Sequence, residues 1–232
     1  MNTLKAKLVK GLGKVPEYVP DWSKPILSSI YRDAKLALER IKRRLHPPSL
    51  PKNSDSKVCI HLGCGEINAP GFINIDAVPY SHVHYVQEVE DLSIFPNNYA
   101  DLIYASHVLE HISHRDVPKV LKEWRRVLKE GGILRLSVPD FDKLIEVYLS
   151  EGKDIRAIIM PLMGGQDYAY NFHKTVFNER YLTELLLSVG FKEVRRWNPE
   201  EVEMHDFEDW ASKPITIKNR KYFISLNLEA IK

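Results

Sequence analysis

The chain has 232 residues, of which 44% are hydrophobic and 28% are charged, so it can bury the core of one domain with an extension. No apolar run approaches the roughly 18 residues that span a bilayer, and the first fifteen residues interleave lysines with leucines, so we expect neither a membrane span nor a cleaved signal peptide. Two cysteines, Cys59 and Cys64, are too few for a disulfide framework or a zinc site, and we expect both to fill the core. These features predict a cytoplasmic protein.

Positive charge is concentrated near the start of the chain. Residues 1–57 hold 13 Lys/Arg against 5 Asp/Glu, whereas residues 58–232 hold 20 against 26. Apolar residues recur at helical spacing from Leu27 to Leu45, and most of the basic residues lie off that stripe, which predicts an amphipathic helix. The segment His46-Pro47-Pro48 would end this helix.

The same pattern predicts the domain organisation. We divide the chain into a basic helical extension, residues 1–50, a polar linker, residues 51–57, and a domain, residues 58–232. Residues 23–45 could dock on the domain, on a second subunit in a dimer, or on anionic lipid at the inner face of a membrane. Nucleic acid is not an expected partner, because the domain lacks the basic stripe that such binding needs.

Within the domain, short apolar runs alternate with amphipathic segments. The predicted strands comprise residues 58–62, 72–75, 83–89, 101–104, 133–138, 191–197 and 222–231. The predicted helices comprise residues 117–128, 141–149, 155–163 and 178–189, and Trp124 lies at the centre of the first one's apolar face. Strand, helix and strand in this order require right-handed crossovers and a largely parallel α/β sheet.

The first two strands predict a ligand site. The first strand stops at Gly63-Cys64-Gly65, whose glycines let the backbone approach a ligand closely, and Asp76 ends the second strand. In a parallel sheet the carboxyl ends of neighbouring strands face the same crevice. Because a carboxylate can accept two hydrogen bonds from a vicinal diol, this pair of features predicts a nucleoside site.

Four ordered motifs extend this interpretation: HLGCG at 61–65, INID at 73–76, EDLSIFPNNYADLIYASHVLEH at 90–111 and EWRRVLKEGGILRLSVPD at 123–140. With them the chain resembles class I S-adenosylmethionine-dependent methyltransferases over about residues 56–232. More narrowly, it is similar to bacterial methyltransferases of surface-polysaccharide biosynthesis. The resemblance implies a Rossmann-like, seven-stranded, mostly parallel sheet with flanking helices, S-adenosyl-L-methionine as cofactor, and methyl transfer to a small or carbohydrate-type acceptor at oxygen.

The resemblance also implies which residues bind the cofactor. They are His61, Gly63, Cys64, Gly65, Asp76, Asp91, Leu92, Ser106 and His107. The two glycines would run under the methionine part, Asp76 would hold the ribose hydroxyls, and Asp91 with Leu92 would flank the adenine. His61 stands where the family commonly has an acidic or amide side chain. Because only ten residues separate Gly65 from Asp76, we expect a loop or a single turn there in place of a helix.

A hydroxyl acceptor needs a base, and histidines are the candidates. His107, at the end of the fourth strand, is the first candidate and His173 the second; His111 is third and is more simply a structural residue. A metal site of His107, His111 and His114 lacks a nearby acidic pattern, so we expect no metal. We expect His82 and His84 to meet solvent, and the acidic segment 200–209 to be a flap over the acceptor.

Two other functions remain open. A dinucleotide oxidoreductase is one alternative, although GCGEIN lacks the third glycine of its fingerprint and Asp76 comes earlier than the expected acid. A binding protein that keeps the fold without catalysis is the other, because fold alone does not determine activity.

Overall fold

The computed structural model describes residues 34, 36–43, 45, 46 and 48–232. The chain divides into two compact units, Met1–Pro47 and Pro48–Lys232. In the first unit residues 36–43 are helical, as the amphipathic pattern predicts, and the larger part of the predicted contact segment, residues 23–45, lies outside the described residues. The second unit contains the sheet and the candidate site.

A seven-stranded sheet forms the centre of the second unit, as predicted. Its strands, with those of a separate hairpin, are β1 Cys59–Leu62, β2 Phe72–Asp76, β3 Tyr85–Val86, β4 Ala100–Ser106, β5 Leu128–Pro139, β6 Glu193–Arg196, β7 Ile215–Ile217, β8 Arg220–Tyr222 and β9 Ser225–Ile231. The order in the sheet is β3-β2-β1-β4-β5-β9-β6, and β7 pairs with β8 alone. Strands β1 to β5 are parallel, whereas β9 runs antiparallel to both β5 and β6. This is a Rossmann-like α/β fold.

Helices cover the sheet. Their bounds are α1 Val117–Val127, α2 Phe141–Ser150, α3 Ile159–Met163 and α4 Glu179–Ser188. The predicted apolar face of α1 is buried, with Trp124 fully enclosed and its Nε1 donating to the carbonyl of Val89 at 2.8 Å. Asn178 caps α4 as predicted, because its side chain accepts from the Tyr181 N–H.

Two predicted elements are shorter than expected. The predicted helix over 155–163 is a 3₁₀ turn, Ile155–Ala157, followed by α3. Pro161 explains the break, since a proline has no N–H to bond to the carbonyl four residues earlier and its ring clashes with that carbonyl. The predicted strand over 83–89 is only β3. Directly before β3, the ring of His84 replaces a backbone carbonyl, because its Nδ1 accepts from Asn74 N at 2.9 Å.

The hairpin of β7 and β8 is absent from the sequence prediction. Its strands have three residues each, and its two-residue turn, Lys218-Asn219, has both φ angles positive, at 45° and 69°. That backbone belongs to the primed turns that match the twist of a hairpin. By contrast, the predicted absence of a helix between β1 and β2 is confirmed.

Among the described residues, no helix combines the length and the apolar character needed to span a bilayer.

Candidate active site

A cavity of about 540 Å³ opens where β1, β4 and β5 end. Its walls come from the glycine turn after β1, from the residues that follow β4, and from two later segments, 160–173 and 208–224. The predicted site residues that line it are His61, Gly63, Cys64, Gly65, Ser106, His107 and His173. The carboxyl edge of the sheet therefore gathers most of the predicted site, as parallel topology requires.

The glycine turn forms one wall. Gly63 has φ +58°, and a Cβ there would lie 2.5 Å from Cγ2 of Val108, so no side chain fits. Gly65 has φ +54°, but a Cβ there would meet nothing within 4 Å. The second glycine therefore borders open space that a bound molecule can occupy, in a backbone conformation that L side chains rarely adopt.

Asp76 holds this turn in place. One carboxylate oxygen accepts from Gly65 N at 2.8 Å and the other from Val78 N at 2.7 Å. Burial raises the pKa of Asp76, and the two backbone donors oppose that rise. Asp76 is not among the lining residues, so its link to the cavity is the hydrogen bond to Gly65. A carboxylate with two donors still has lone pairs for further ones.

His82 supports the turn from its other side. Its Nε2 lies 3.0 Å from the carbonyl oxygen of Gly65, and its ring stacks on that of Tyr80. The expectation that His82 and His84 only meet solvent is therefore wrong. The imidazole of His82 bonds to the backbone of the turn after β1, and that of His84 bonds to the backbone of β2, roles that residue type alone does not reveal.

His61 points from β1 into an aromatic wall. Its ring stacks on Phe207 with centroids 5.8 Å apart and is tilted against Tyr104 at 5.0 Å. Burial lowers the pKa of His61 to about 3, so the imidazole is neutral at physiological pH. A neutral ring cannot supply the negative charge that an acidic residue at this position would supply.

A buried polar network lies behind His61. Tyr104 donates a short hydrogen bond to Asp209, and its hydroxyl lies 3.2 Å from Nε2 of His205. Burial alone would raise the pKa of Asp209, but the hydrogen bonds from His205 and Tyr104 outweigh it and lower that pKa. Asp209 lines the cavity as a carboxylate. Sequence reasoning placed it in a flap, and only its acidic neighbourhood hinted at a role.

His107 follows β4 in a left-handed conformation, with φ +52°. Ser225 Oγ donates to the carbonyl of Trp210 at 2.6 Å and therefore accepts from His107 Nε2 at 2.9 Å. The other ring nitrogen, Nδ1, lies 3.3 Å from Oε1 of Glu110. Nε2 thus has a hydrogen-bond partner, whereas Nδ1 has only a contact with the carboxylate. A non-glycine residue held at positive φ beside a cavity is typical of a functional position.

Glu110, His111 and His173 form a second group on this wall. Glu110 is 1% exposed, and His173 Nε2 lies 3.9 Å from its Oε1. Burial alone would raise the pKa of Glu110, but the imidazoles around it, His107 first, hold that pKa below its usual value. Burial lowers the pKa of His173, with Glu110 opposing that effect. Glu110 was not a predicted site residue.

Asp91 and Leu92 lie apart from the lining residues of the cavity. Asp91 is exposed and accepts from the Ser93 N–H at 2.9 Å, while the side chain of Leu92 is buried in the core. The backbone of Leu92 is bonded to Glu123 and Arg126. In this structure Leu92 connects the β3–β4 loop to α1, and Asp91 bonds to Gln87 and Ser93 within that loop.

Comparison with known proteins identifies a matching family. The methyltransferase domain family matches residues 70–136. Among curated proteins, the ubiquinone/menaquinone biosynthesis C-methyltransferase UbiE of Vibrio vulnificus is 41% identical over 70 residues, covering 29% of this chain and 26% of the relative. The protein of that name from Pseudomonas fluorescens is 28% identical over 133 residues, covering 53% and 50%. The chain spans half or less of the length of these relatives.

Solved structures with similar chain traces include an S-adenosylmethionine-dependent methyltransferase from Archaeoglobus fulgidus, with TM-score 0.47 and 16% identity over 87% of this chain and 94% of that one. A possible exported protein from Bordetella parapertussis has TM-score 0.49 and 13% identity over 98% and 79%. None of these findings supports the narrower resemblance to polysaccharide methyltransferases, since the curated relatives carry another name. The finding that bears on the broader class is the match of residues 70–136 to the methyltransferase domain family.

Proposed function

We propose that this chain is an S-adenosylmethionine-dependent methyltransferase that acts on a small, hydroxyl-bearing acceptor. The observation that carries the proposal is the glycine turn after β1, which opens on the cavity at the carboxyl edge of the sheet and is held there by Asp76. The methyltransferase-domain match begins in the turn before β2 and ends in β5, so it covers β2 to β4 and most of β5 but begins after β1 and the glycine turn.

The residues around the turn fit the cofactor. The open space beside Gly65 suits a molecule that passes directly over the backbone. Asp76 is the proposed partner of the ribose hydroxyls, which it would reach beside Gly65. Because His61 is neutral, the carboxylate of Asp209 is the proposed partner for the ammonium group of the methionine part. The adenine roles of Asp91 and Leu92 gain no support from the cavity lining.

When bound, the cofactor would supply a methyl group on a positively charged sulfonium, and the acceptor would displace the neutral thioether from that methyl carbon. The protein then has to align the acceptor, exclude water and take a proton from the acceptor hydroxyl. His107 and His173 both line the cavity and are the proposed bases. His107 would have to give up its hydrogen bond to Ser225 before it could bind the acceptor hydroxyl. In His173 the backbone carbonyl of Pro161 is bonded to Nδ1, so Nε2 is the nitrogen that could accept a proton.

Oxygen is the proposed methylated atom, with a carbohydrate-type hydroxyl as one acceptor. The curated relatives favour a second candidate, because their names describe carbon methylation in quinone biosynthesis. A phenolic ring would need the same deprotonation before its carbon attacks the methyl group. The polar wall of histidines suits either acceptor, and both are small molecules.

Residues 23–45 are the proposed contact segment for a membrane surface or a second subunit. Three described residues of the predicted apolar stripe, Leu38, Ile41 and Leu45, are each more than half exposed. Their neighbours include Arg40, Lys42 and Arg43. Apolar and basic side chains together are what an anionic lipid surface attracts.

Calorimetric titration tests the proposed function. Wild type should bind S-adenosylmethionine and S-adenosylhomocysteine but not NAD. Asp76→Ala should weaken binding of both sulfur nucleosides by about 1–3 kcal/mol through a lost charge-assisted hydrogen bond. Glu193→Ala is the matched control, since this exposed acid lies on β6 at the far edge of the sheet. Unchanged affinity in Asp76→Ala rejects the ribose role, and binding of NAD alone rejects the function.

A further inference from the structure

Glu110 is a buried carboxylate with too few partners. Its side chain is 1% exposed, and neither carboxylate oxygen has a hydrogen-bond partner among the described residues. The ion-pair contact with Nδ1 of His107, at 3.3 Å, is long and poorly directed. Removing a carboxylate from water without compensation costs several kcal/mol, so this position calls for a positive charge close to the oxygens.

Two imidazoles next to Glu110 have the hydrogen on Nδ1, which leaves Nε2 able to bind a metal ion. Nδ1 of His173 lies 3.0 Å from the carbonyl oxygen of Pro161, and Nδ1 of His111 lies 3.2 Å from that of Phe172. A carbonyl only accepts, so both Nδ1 atoms carry the hydrogen and each neutral ring keeps a lone pair on Nε2. Histidines that bind metals are oriented by this kind of hydrogen bond from the other ring nitrogen.

The three side chains converge. One ligand atom from each of Glu110, His111 and His173 lies within 4.8 Å of the others, and within the described part of the chain this is the one such group of His, Cys, Asp or Glu. With metal–ligand bonds of about 2.0–2.2 Å, tetrahedral ligand atoms lie roughly 3.3–3.6 Å apart. The ligand atoms would therefore approach one another by up to about 1.2–1.5 Å, which rotamer adjustment can supply.

The backbone holds this group together across sixty residues of sequence. The carbonyl of Glu110 accepts from Lys174 N at 2.7 Å and from Thr175 N at 3.1 Å. The Thr175 hydroxyl donates to the carbonyl of Ile112 at 2.6 Å. These three bonds fix the segment after His173 against the turn that carries Glu110 and His111, so the ligand set is preformed.

We propose that Glu110, His111 and His173 bind a divalent transition-metal cation such as zinc, cobalt or manganese on the wall of the cavity. Three protein ligands leave a coordination position open, and His111 and His173 line the cavity, so the open position faces the acceptor. Resting on the proposed function, the cation would bind and polarise the acceptor oxygen. With Nε2 of His173 on the cation, the base would be His107, whose Nδ1 also contacts Glu110. This reverses the sequence-based expectation of no metal.

The test uses the full chain after dialysis against a chelator. Calorimetry with zinc chloride should show one zinc ion bound per chain. Addition of cobalt(II) chloride should give the visible absorption of a four- or five-coordinate cobalt ion. His111→Ala, His173→Ala and Glu110→Gln should each weaken zinc binding at least tenfold. His114→Ala is the matched control, because His114 is exposed and three residues from His111, and it should leave the affinity unchanged.

Three outcomes overturn the proposal: no stoichiometric binding by wild type, an equal loss in His114→Ala, or full affinity in the three ligand variants. In the first case Glu110 keeps the ring of His107 as its contact. Titration of the same samples with S-adenosylhomocysteine shows that each variant is folded and separates the two proposals. Nucleoside binding without metal binding removes only the cation, and metal binding without nucleoside binding removes only the proposed methyltransferase function.

Discussion

The two glycines of the turn after β1 differ in what surrounds them, and this predicts different effects of the same substitution. Gly63→Ala places a methyl group 2.5 Å from Val108 in a left-handed backbone, so it should cost about 2–4 kcal/mol of unfolding free energy. Gly65→Ala meets open space and should cost only about 1 kcal/mol from its φ. Its methyl group projects toward the proposed cofactor, so affinity for S-adenosylhomocysteine should fall at least tenfold. Urea unfolding and calorimetry measure both; equal stability losses in the two variants contradict this account.

His61 predicts a pH dependence of stability. Its pKa is about 3 in the folded chain and about 6.5 when unfolded. Between these values the unfolded chain binds a proton that the folded chain does not. The contribution of His61 to the free energy of unfolding is therefore fully present above pH 6.5 and falls as the pH decreases toward 3. From pH 7.5 to pH 5.5 the loss from this residue should be about 1.4 kcal/mol. His61→Gln should lack that part of the loss in urea unfolding, whereas the exposed control His114→Gln should keep it.

Sequence reasoning found the residues of the site that follow strands directly. A glycine pair or a polar side chain directly after an apolar run indicates the end of a strand at the crevice, and this pattern predicted Gly63, Gly65 and His107 as site residues. Asp209 and Glu110 were missed for a different reason. Asp209 lies in the long segment between β6 and β7, and its hydrogen bond with Tyr104 of β4 is what places it at the site. Glu110 looks like an ordinary helical acid until His173 is placed beside it.

Among the elements, the antiparallel strand β9 depends on one buried carboxylate. Glu229 faces Arg135 of β5 and Arg195 of β6 in the register, with N···O distances of 2.8 Å and 3.0 Å. Glu229→Gln leaves the buried guanidinium of Arg135 without its counter-charge and should destabilise the fold by about 3 kcal/mol. The exposed pair of Lys192 and Glu130 is the control, and Glu130→Gln should change stability by less than about 0.5 kcal/mol. Similar losses in the two variants would show that burial of the pair is not the cause.

The type of a helix or strand could be predicted where its hydrophobic pattern was long. Its first and last residues could not be predicted where a single residue interrupted the regular structure. The apolar stripe of α1 and the runs of β1, β4 and β5 are confirmed, because burial on one face or both leaves a clear period. The break at Pro161, the ring of His84 in place of a ladder bond, and the short hairpin of β7 and β8 depend on local geometry that hydrophobic periodicity does not report.

For the whole molecule, the concentration of positive charge near the start of the chain predicts which segment would bind an anionic membrane surface. If residues 23–45 contact anionic lipid, the full chain should co-sediment with phosphatidylglycerol-containing vesicles at low salt and be released as the salt concentration rises. The triple substitution Arg40→Gln, Lys42→Gln and Arg43→Gln should reduce retention severalfold. Equal retention on neutral vesicles, or no effect of the substitutions, contradicts binding to anionic lipid. No retention on either kind of vesicle leaves contact with a second subunit, which sedimentation equilibrium would show.

A crystal structure of the full chain with S-adenosylhomocysteine tests the central claim most directly. We predict that the nucleoside occupies the cavity, with its amino-acid part over the Gly63–Gly65 backbone and its ribose hydroxyls on Asp76. A nucleoside bound elsewhere, or a glycine turn that closes against the cavity wall and leaves no room for it, would contradict the account.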